Sequence, residues 1–173
     1  MESRVKLLGH PIHPMLIPFP IGLLATSLIF DILGLLTGND ELSRVAFWMV
    51  AAGIVGGLAA IPFGFLDWLH IPRGTRARTV GLIHGVGNVI VVVLMTISLV
   101  LRLDDPSSTP TLALLASIAG VALITATGWL GGELVDRMRV GVDDGAHLNS
   151  PISLSGRPAE ESATGGRSAG TAV

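Results

Sequence analysis

The chain has 173 residues, of which 50% are hydrophobic and 14% are charged, and its mean hydropathy is +0.68. Because soluble domains carry about 25% charged residues, this composition excludes an ordinary soluble domain. The absence of cysteine excludes disulfides, cysteine-ligated iron–sulfur clusters and thiol catalysis within the chain, and the net charge of −2 gives no reason to expect a nucleic acid partner.

A histidine–proline motif precedes the first apolar segment. Residues Gly9–Pro14 read Gly-His-Pro-Ile-His-Pro. Proline fixes φ and pushes the residue before it toward extended geometry. We therefore expect His10 and His13 to lie on a stiff, partly extended lead-in, with regular helix beginning near Pro14 or Pro20. An imidazole there can ligate a metal or haem, or carry a proton, near neutral pH.

Four apolar segments are each long enough to cross the hydrocarbon core of a bilayer, which takes about 20 residues of helix. They cover approximately residues 14–36, 45–66, 80–103 and 111–134. No small-residue cleavage site follows the first segment, so we expect a retained transmembrane helix and not a signal peptide. The fold class predicted for residues 1–140 is all-α: an integral membrane four-helix bundle made of two antiparallel transmembrane hairpins, with the lipid bilayer as its surroundings.

The last part of the chain differs in composition. After Val140 the apolar periodicity gives way to Gly, Ser, Ala, Asp and Glu. Such a segment cannot bury enough apolar surface to fold, so we predict a disordered cytoplasmic tail over residues 141–173.

The basic residues are distributed unequally between the two sides of this bundle. One side carries Arg4, Lys6, Arg73, Arg76, Arg78, Arg137 and Arg139. The other side carries Arg44 and Arg102, together with several acids. The positive-inside rule then predicts a multi-pass protein of the bacterial cytoplasmic (inner) membrane with both termini in the cytoplasm.

Small residues recur at four-residue spacing in three of the predicted helices. The pairs are Gly53 with Gly57, Gly81 with Gly85, and Gly128 with Gly132. Such pairs let helix backbones approach closely in lipid, although glycine is common in membrane helices in any case. We expect these faces to form helix contacts within the bundle.

The two predicted hairpins resemble each other. Each opens near a histidine, His13 or His84, and closes on an acid, Asp67 or Glu133. Two hairpins of the same direction would be related by an axis along the membrane normal.

Four crossings bring several ionisable side chains to the side that carries the termini. These candidate site residues are His10, His13, Asp67, His84 and Glu133. His84 and Glu133 lie about one turn inside the apolar spans, where an ionisable group costs about 2.5–3.5 kcal/mol and needs a partner. Asn88 follows His84 by one turn and could fix its tautomer. Asp31 and Arg102 belong near the opposite side, where they could pair with each other.

Each of these residues also has a purely structural interpretation. The His-Pro motif could form the interfacial turn that starts the first helix, and His84 could be a packed histidine bonded to a carbonyl. Asp67 could pair with Arg73 or Arg76, and Glu133 could reach toward Arg137. His70 and His147 are expected to be ordinary loop and tail histidines.

The motifs resemble the bacterial membrane family known as domain of unknown function 2231. The matching features are the Gly9–Pro14 motif with Pro18 and Pro20, Asp31, Pro62 with Asp67, His84, and the Gly131–Glu133 segment. The resemblance covers about residues 6–142 and implies a four-helix membrane protein without an assigned biochemical role. Some relatives look like fusions to Rieske-type iron–sulfur domains, which implies an association with redox proteins.

Four functions are compatible with these features. The first is a redox protein that holds haem b between His13 and His84. The second is a divalent metal site for Zn or Fe, built from all five candidate residues. The third is an ion or proton pathway through Asp67, His84 and Glu133.

The fourth is a non-catalytic scaffold or accessory subunit, in which the cluster ties helix ends together and the partner is another membrane protein or a second copy of the chain. Our working hypothesis is the redox-linked or metal-linked role, and the sequence leaves open whether the protein is an enzyme.

Overall fold

A computed structural model describes residues 1–163. A short antiparallel ladder pairs Lys6–Leu7 (β1) with His10–Pro11 (β2). The helices that follow are Ile12–Leu16 (α1), Pro18–Thr37 (α2), Asp40–His70 (α3), Arg76–Val100 (α4) and Thr111–Gly132 (α5). A π-helical turn at Glu133–Arg137 continues α5, and a 3-10 turn lies at Ser153–Ser155.

Local sequence signals explain where the long helices begin and end. Pro18 and Pro20 occupy the first turn of α2, where a missing N–H costs nothing. Gly38 ends α2 with φ of 67°, a left-handed conformation that glycine adopts without strain. The side chain of Asn39 then accepts a hydrogen bond from Glu41 N and starts α3, and Thr75 starts α4 in the same way.

The four long helices pack antiparallel and confirm the predicted fold class. Helix α2 packs against α3 and α5, and α4 packs against the same two helices, so α2 and α4 face each other across a diagonal of the bundle. Within residues 1–163, four helical segments have the length and composition to cross a membrane: Ile12–Thr37, Asp40–His70, Arg76–Val100 and Thr111–Arg137.

The bundle has two different ends. The end that holds both described chain ends and the loop at residues 71–75 is called the terminal face, and the end with the loops at residues 38–39 and 101–110 is called the loop face.

The observed helix boundaries differ most from the predicted ones at the ends of α3 and α4. Helix α3 begins at Asp40 and continues to His70, beyond the predicted residues 45–66. The acids Asp40 and Glu41 lie in its first turn, where they interact favourably with the helix dipole. Helix α4 ends at Val100, three residues earlier than predicted, and the chain then turns inward so that Arg102 is 1% exposed.

The two hairpins repeat the same buried contacts. Leu24 of α2 packs against Gly53, and Met95 of α4 packs against Gly120, each so closely that a Cβ on the glycine would lie within 2.7 Å of the side chain. Both large side chains are buried in the core cluster of the bundle. Leu24 and Met95 are 71 residues apart in the sequence, and so are Asp31 and Arg102, so both pairs occupy corresponding positions of the two hairpins.

Asp31 and Arg102 are fully buried near the loop face and bind each other, which confirms the expected pairing. Arg102 Nη1 donates to Asp31 Oδ1 at 2.7 Å, and Nη2 donates to Oδ2 at 2.8 Å. Ser98, Ser117 and Thr109 add hydrogen bonds to the pair. A bidentate pair of this kind satisfies both charges where water is excluded.

The glycine pairs contribute unequally to helix contacts. Gly81 packs under the Trp68 ring, and Gly53 packs under Leu24. Gly85 faces open space and is exposed. Gly128 and Gly132 also have no neighbour where a Cβ would lie, because they line a cavity.

Residues 141–163 contain no long helix and lie against the N-terminal segment. Lys6 Nζ pairs with Asp143, and the N-terminal amine pairs with Asp144. Ser153 Oγ donates to Leu8 O at 3.2 Å. The remaining residues of the expected disordered tail, 164–173, lie outside the described residues, and the disorder stays a prediction.

Candidate cofactor site

A cavity of about 450 Å³ lies inside the bundle toward the terminal face. Its lining consists mostly of glycine, proline and aliphatic side chains. Four ionisable or amide side chains also line the cavity: His13, Asp67, His84 and Asn88. This volume lies within the range of about 300–1,000 Å³ that is typical of small-molecule and cofactor sites.

His13 projects from the short helix α1 against α3. Its Nδ1 lies 3.0 Å from Ala60 O, and its ring lies over Gly64, where a Cβ would come within 2.6 Å of His13 Cε1. A carbonyl oxygen accepts hydrogen bonds only, so Nδ1 of the neutral ring carries the proton and donates it. The lone pair of Nε2 is therefore left for a ligand, and no residue among 1–163 forms a hydrogen bond with it.

His84 projects from α4 against α5 in the same manner. Its Nδ1 lies 2.8 Å from Thr127 O, and its ring lies over Gly131, where a Cβ would be 3.2 Å from His84 Cε1. The proton is again on Nδ1, because the partner is a carbonyl. Asn88 Nδ2 lies 3.2 Å from Nε2, so the expected contact between Asn88 and His84 is present.

The two imidazoles meet edge to face across the diagonal of the bundle. Their ring centroids are 6.4 Å apart, and the ring planes are nearly perpendicular at 84°. Because Ala60 and Gly64 hold His13 as Thr127 and Gly131 hold His84, Gly64 is the structural counterpart of Gly131. This register shifts the sequence comparison by one residue: Asp67 corresponds to Leu134, and Glu133 is not its counterpart.

Asp67 ties the N-terminal segment to the end of α3. Its Oδ1 accepts hydrogen bonds from Ser3 Oγ at 2.7 Å and from the backbone N of Arg4 at 3.2 Å. These contacts replace the pairing with Arg73 or Arg76 that the sequence allowed. The carboxylate thus holds the N-terminal segment in place and also lines the cavity.

Glu133 and His10 lie away from the cavity lining. Arg76 Nη2 donates to Glu133 Oε2 at 3.1 Å, in place of the contact with Arg137 that the sequence allowed. His10 is exposed, and its Nε2 lies 3.3 Å from Ser153 Oγ. Both residues therefore connect segments at the terminal face.

The five candidate residues do not converge on one point. The structure brings His13 and His84 together, with Asp67 on the same cavity wall. In residues 1–163 no group of three or more His, Asp or Glu side chains has the geometry to hold a metal ion. His70 is exposed and bonded to Leu66 O of its own helix, as an ordinary helix-end histidine would be.

The groups that orient the histidines are absent from the candidates predicted by sequence. These groups are the carbonyls of Ala60 and Thr127 and the glycines Gly64 and Gly131. A signal was present, because the spacing from His13 to Asp31 equals the spacing from His84 to Arg102. That equality aligns the first helices of the two hairpins with an offset of 71 residues, whereas Gly64 and Gly131 in the second helices are 67 residues apart, so only the structure aligns those helices.

The corner between α3 and α4 fixes one wall of the cavity. Arg78 Nη1 donates to the carbonyls of Trp68, Leu69 and Ile71 at the end of α3, and the guanidinium lies 4.3 Å from the centre of the Trp68 ring. Trp68 Nε1 in turn donates to Arg78 O at 3.0 Å. The cation satisfies helix-terminal carbonyls and interacts favourably with the ring face.

Comparison with known proteins identifies the family and leaves its chemistry open. A search of the curated proteins found no match, and a search of the solved structures found none. A family model described as a predicted membrane protein, DUF2231, matches residues 9–144, which include all four helices and both histidines of the cavity. The chain therefore belongs to the DUF2231 family of predicted membrane proteins.

Proposed function

We propose that the protein binds haem b in the cavity between His13 and His84 and acts as a redox-linked protein of the bacterial inner membrane. One observation carries this proposal. Two imidazoles from diagonally opposite corners of the bundle lie in one apolar cavity with ring centroids 6.4 Å apart, each with Nδ1 fixed on a backbone carbonyl. Histidines that bind metal commonly donate their other ring N–H in this way.

The separation of the rings fits a shared metal atom. A bond from a metal to an imidazole nitrogen is about 2 Å long, and that nitrogen lies roughly 1 Å from its ring centre, so two rings on opposite sides of one metal have centroids about 6 Å apart. The observed separation is 6.4 Å.

The donor set favours haem over a bare divalent ion. A Zn or Fe ion held by side chains needs three or four protein ligands. No such group exists within the described residues 1–163, where two histidines meet without a third ligand. Haem brings four equatorial nitrogens of its own, so one or two histidines are sufficient.

The chain's own residues would hold the group and exclude water from it. His13 and His84 would hold the iron through their ring nitrogens, and Gly64 and Gly131 leave the space that each ring occupies. The rest of the cavity is mainly apolar, which suits the faces of a macrocycle. When bound, haem b supplies reversible one-electron exchange, and four-helix bundles build such sites from side chains on facing helices.

Asp67 and Glu133 have a structural role in this proposal. Asp67 binds the N-terminal segment and Glu133 binds Arg76, so both carboxylates tie helix ends together. These ties support the scaffold alternative for this part of the cluster. A partner membrane protein or a second copy of the chain remains part of the proposal, as the source or acceptor of the electron.

The test uses the detergent-purified protein, supplied with haem during expression. We expect a Soret band and an alkaline-pyridine haem content near one per chain. His13→Ala and His84→Ala should each change the spectrum, and the double variant should lose the haem. His70→Ala is the matched control, because His70 is exposed outside the cavity, and it should keep the wild-type spectrum.

Two results would contradict the proposal. One is a colourless wild-type protein after supplementation with haem. The other is a double variant that retains the wild-type spectrum. Metal analysis on the same samples distinguishes haem iron from zinc or non-haem iron.

A further inference from the structure

The two halves of the histidine site are alike in their main contacts and differ in the polar groups beside the ring. His13 and His84 each donate from Nδ1 to a carbonyl and each lie over a glycine. The residue one turn after His13 is Ile17, whereas the residue one turn after His84 is Asn88. The carbonyl residue is Ala60 in the first hairpin and Thr127 in the second. At these two positions, the second hairpin alone places polar side chains beside its imidazole.

Those added side chains form a closed ring of hydrogen bonds around His84. Thr127 Oγ1 donates to Asn88 Oδ1 at 3.0 Å, which fixes the orientation of the amide. Asn88 Nδ2 then lies 2.8 Å from His84 O and 3.2 Å from His84 Nε2. His84 Nδ1 closes the ring on Thr127 O. The lone pair that a metal would need is thus engaged by an amide N–H.

His13 is not restrained in this way. Ile17 has no polar side-chain group, and no hydrogen bond to Nε2 of His13 exists among residues 1–163. The two nitrogens therefore compete unequally for a metal. To bind a metal, Nε2 of His13 has no hydrogen bond to lose. Nε2 of His84 must first lose the hydrogen bond from Asn88 Nδ2.

We propose that Asn88 makes His84 a conditional axial ligand, so that the haem site binds small neutral diatomic molecules, such as carbon monoxide or nitric oxide, on the His84 side. This inference rests on the proposed function, because it concerns the same cavity and the same two histidines. Asn88 is a positioning residue: it acts through the imidazole that it holds. His13 is the permanent ligand, and the occupancy of the opposite position depends on the ring formed by Asn88 and Thr127.

The first experiment compares the haem-loaded wild type with Asn88→Leu, whose side chain has the same number and branching of heavy atoms and no N–H donor. We expect the reduced wild type to contain a five-coordinate fraction and to bind carbon monoxide with a shift of the Soret band. Asn88→Leu should be six-coordinate and low-spin, with a carbon monoxide affinity about 10-fold lower, the lower end of effects seen when ligand-orienting partners are removed.

Thr127→Val provides a second variant that leaves Asn88 in place and only removes the hydroxyl that orients it. It should shift the spectrum in the same direction by a smaller amount. The matched control is Thr125→Val on the same helix, because the Thr125 hydroxyl is exposed and bonded to Val121 O. The control should behave as the wild type.

A readout that needs no haem completes the test. In the haem-free protein, ring ¹⁵N spectra should show both His13 and His84 protonated on Nδ1. Asn88→Leu should shift the Nε2 resonance of His84 and leave that of His13 unchanged.

The outcomes separate the two proposals. If haem binds through the histidines but Asn88→Leu and Thr127→Val match the wild type in spectrum and carbon monoxide affinity, the conditional role of His84 is wrong and the haem site stands. If the wild type takes up no haem, the proposed function fails, whatever the ¹⁵N spectra show.

Discussion

Each histidine of the cavity packs against a glycine that is distant from it in the sequence. Gly64 lies under His13 and Gly131 lies under His84, and each leaves the space that a side chain would take from the ring. The space is tighter at Gly64, where a Cβ would lie 2.6 Å from His13 Cε1, than at Gly131, where the distance would be 3.2 Å. Protein interiors tolerate little added volume, so even one methyl group here must displace an imidazole.

Gly64→Ala should therefore weaken haem binding more than Gly131→Ala does. The matched control is Gly22→Ala, because Gly22 lies on α2 outside the cavity lining and a Cβ added there would have no neighbouring atom within 4 Å. The measurement is haem titration of the three purified variants. An equal loss of affinity in all three would show that the rings do not occupy the positions described.

At the scale of single elements, the diagonal helices are connected at the loop face by a fully buried ion pair. Asp31 lies on α2, and Arg102 follows the end of α4, with both side chains 0% exposed. A buried charge without its partner is strongly destabilising, whereas replacing both partners by apolar residues is often neutral. The pair thus fixes which ends of α2 and α4 meet.

Asp31→Asn should lower the free energy of unfolding by about 3–5 kcal/mol, the usual cost of leaving a buried partner charge uncompensated. The double variant Asp31→Leu with Arg102→Met should recover most of that loss. The measurement is thermal or denaturant unfolding in detergent. A double variant as unstable as the single one would mean that the hydrogen bonds from Arg102 to Ser98 and Ser117, and from Thr109 to Asp31, carry the effect, and not the charge.

A second contact between elements holds residues 139–144 against the N-terminal segment. The hydrogen bond to Asp143 raises the pKa of Lys6 above its ordinary value, and the hydrogen bond from Lys6 lowers the pKa of Glu2. The Lys6 contribution is complete below its ordinary pKa and is lost as the pH rises through the raised value. The Glu2 contribution is complete above its ordinary pKa and is lost as the pH falls through the lowered value.

Lys6→Met should therefore speed amide hydrogen exchange at Gly141 and Asp144, whose N–H groups bind Met1 O and Glu2 Oε1. In the wild type, the protection factor of the same amides should be high at neutral pH and should fall in strong acid. Arg73→Met is the control, since Arg73 lies exposed in the loop between α3 and α4. Unchanged exchange in Lys6→Met would show that other contacts hold this segment.

At the scale of the whole molecule, the bundle consists of two hairpins related by the repeat. Their first helices, α2 and α4, lie at opposite corners of the bundle. The sequence predicts the four helices well, because apolar length and charged loops determine them without reference to tertiary contacts. It also predicts the pair of Asp31 with Arg102. It did not predict which candidate residues share the cavity, because that depends on the rotation of each helix about its own axis. Apolar residues surround these helices on all sides, so periodicity does not reveal the rotation.

The seven cations near the terminal face lead us to propose cytoplasmic termini. A fluorescent protein fused after Val173 should fluoresce, and alkaline phosphatase inserted at Ser107 in the loop face should be active, since each reporter works on one side of the membrane only. The reverse pattern would invert the topology and would place the histidine cavity on the outer side.

The central claim is that His13 and His84 together bind one haem per chain. Its most direct test is titration of haem-free, detergent-solubilised protein with haemin, followed by absorbance for the wild type and for the double variant His13→Ala with His84→Ala. We predict saturation at one haem per wild-type chain and no saturable binding by the double variant. A wild type that fails to saturate, or a double variant that saturates like it, would contradict the claim.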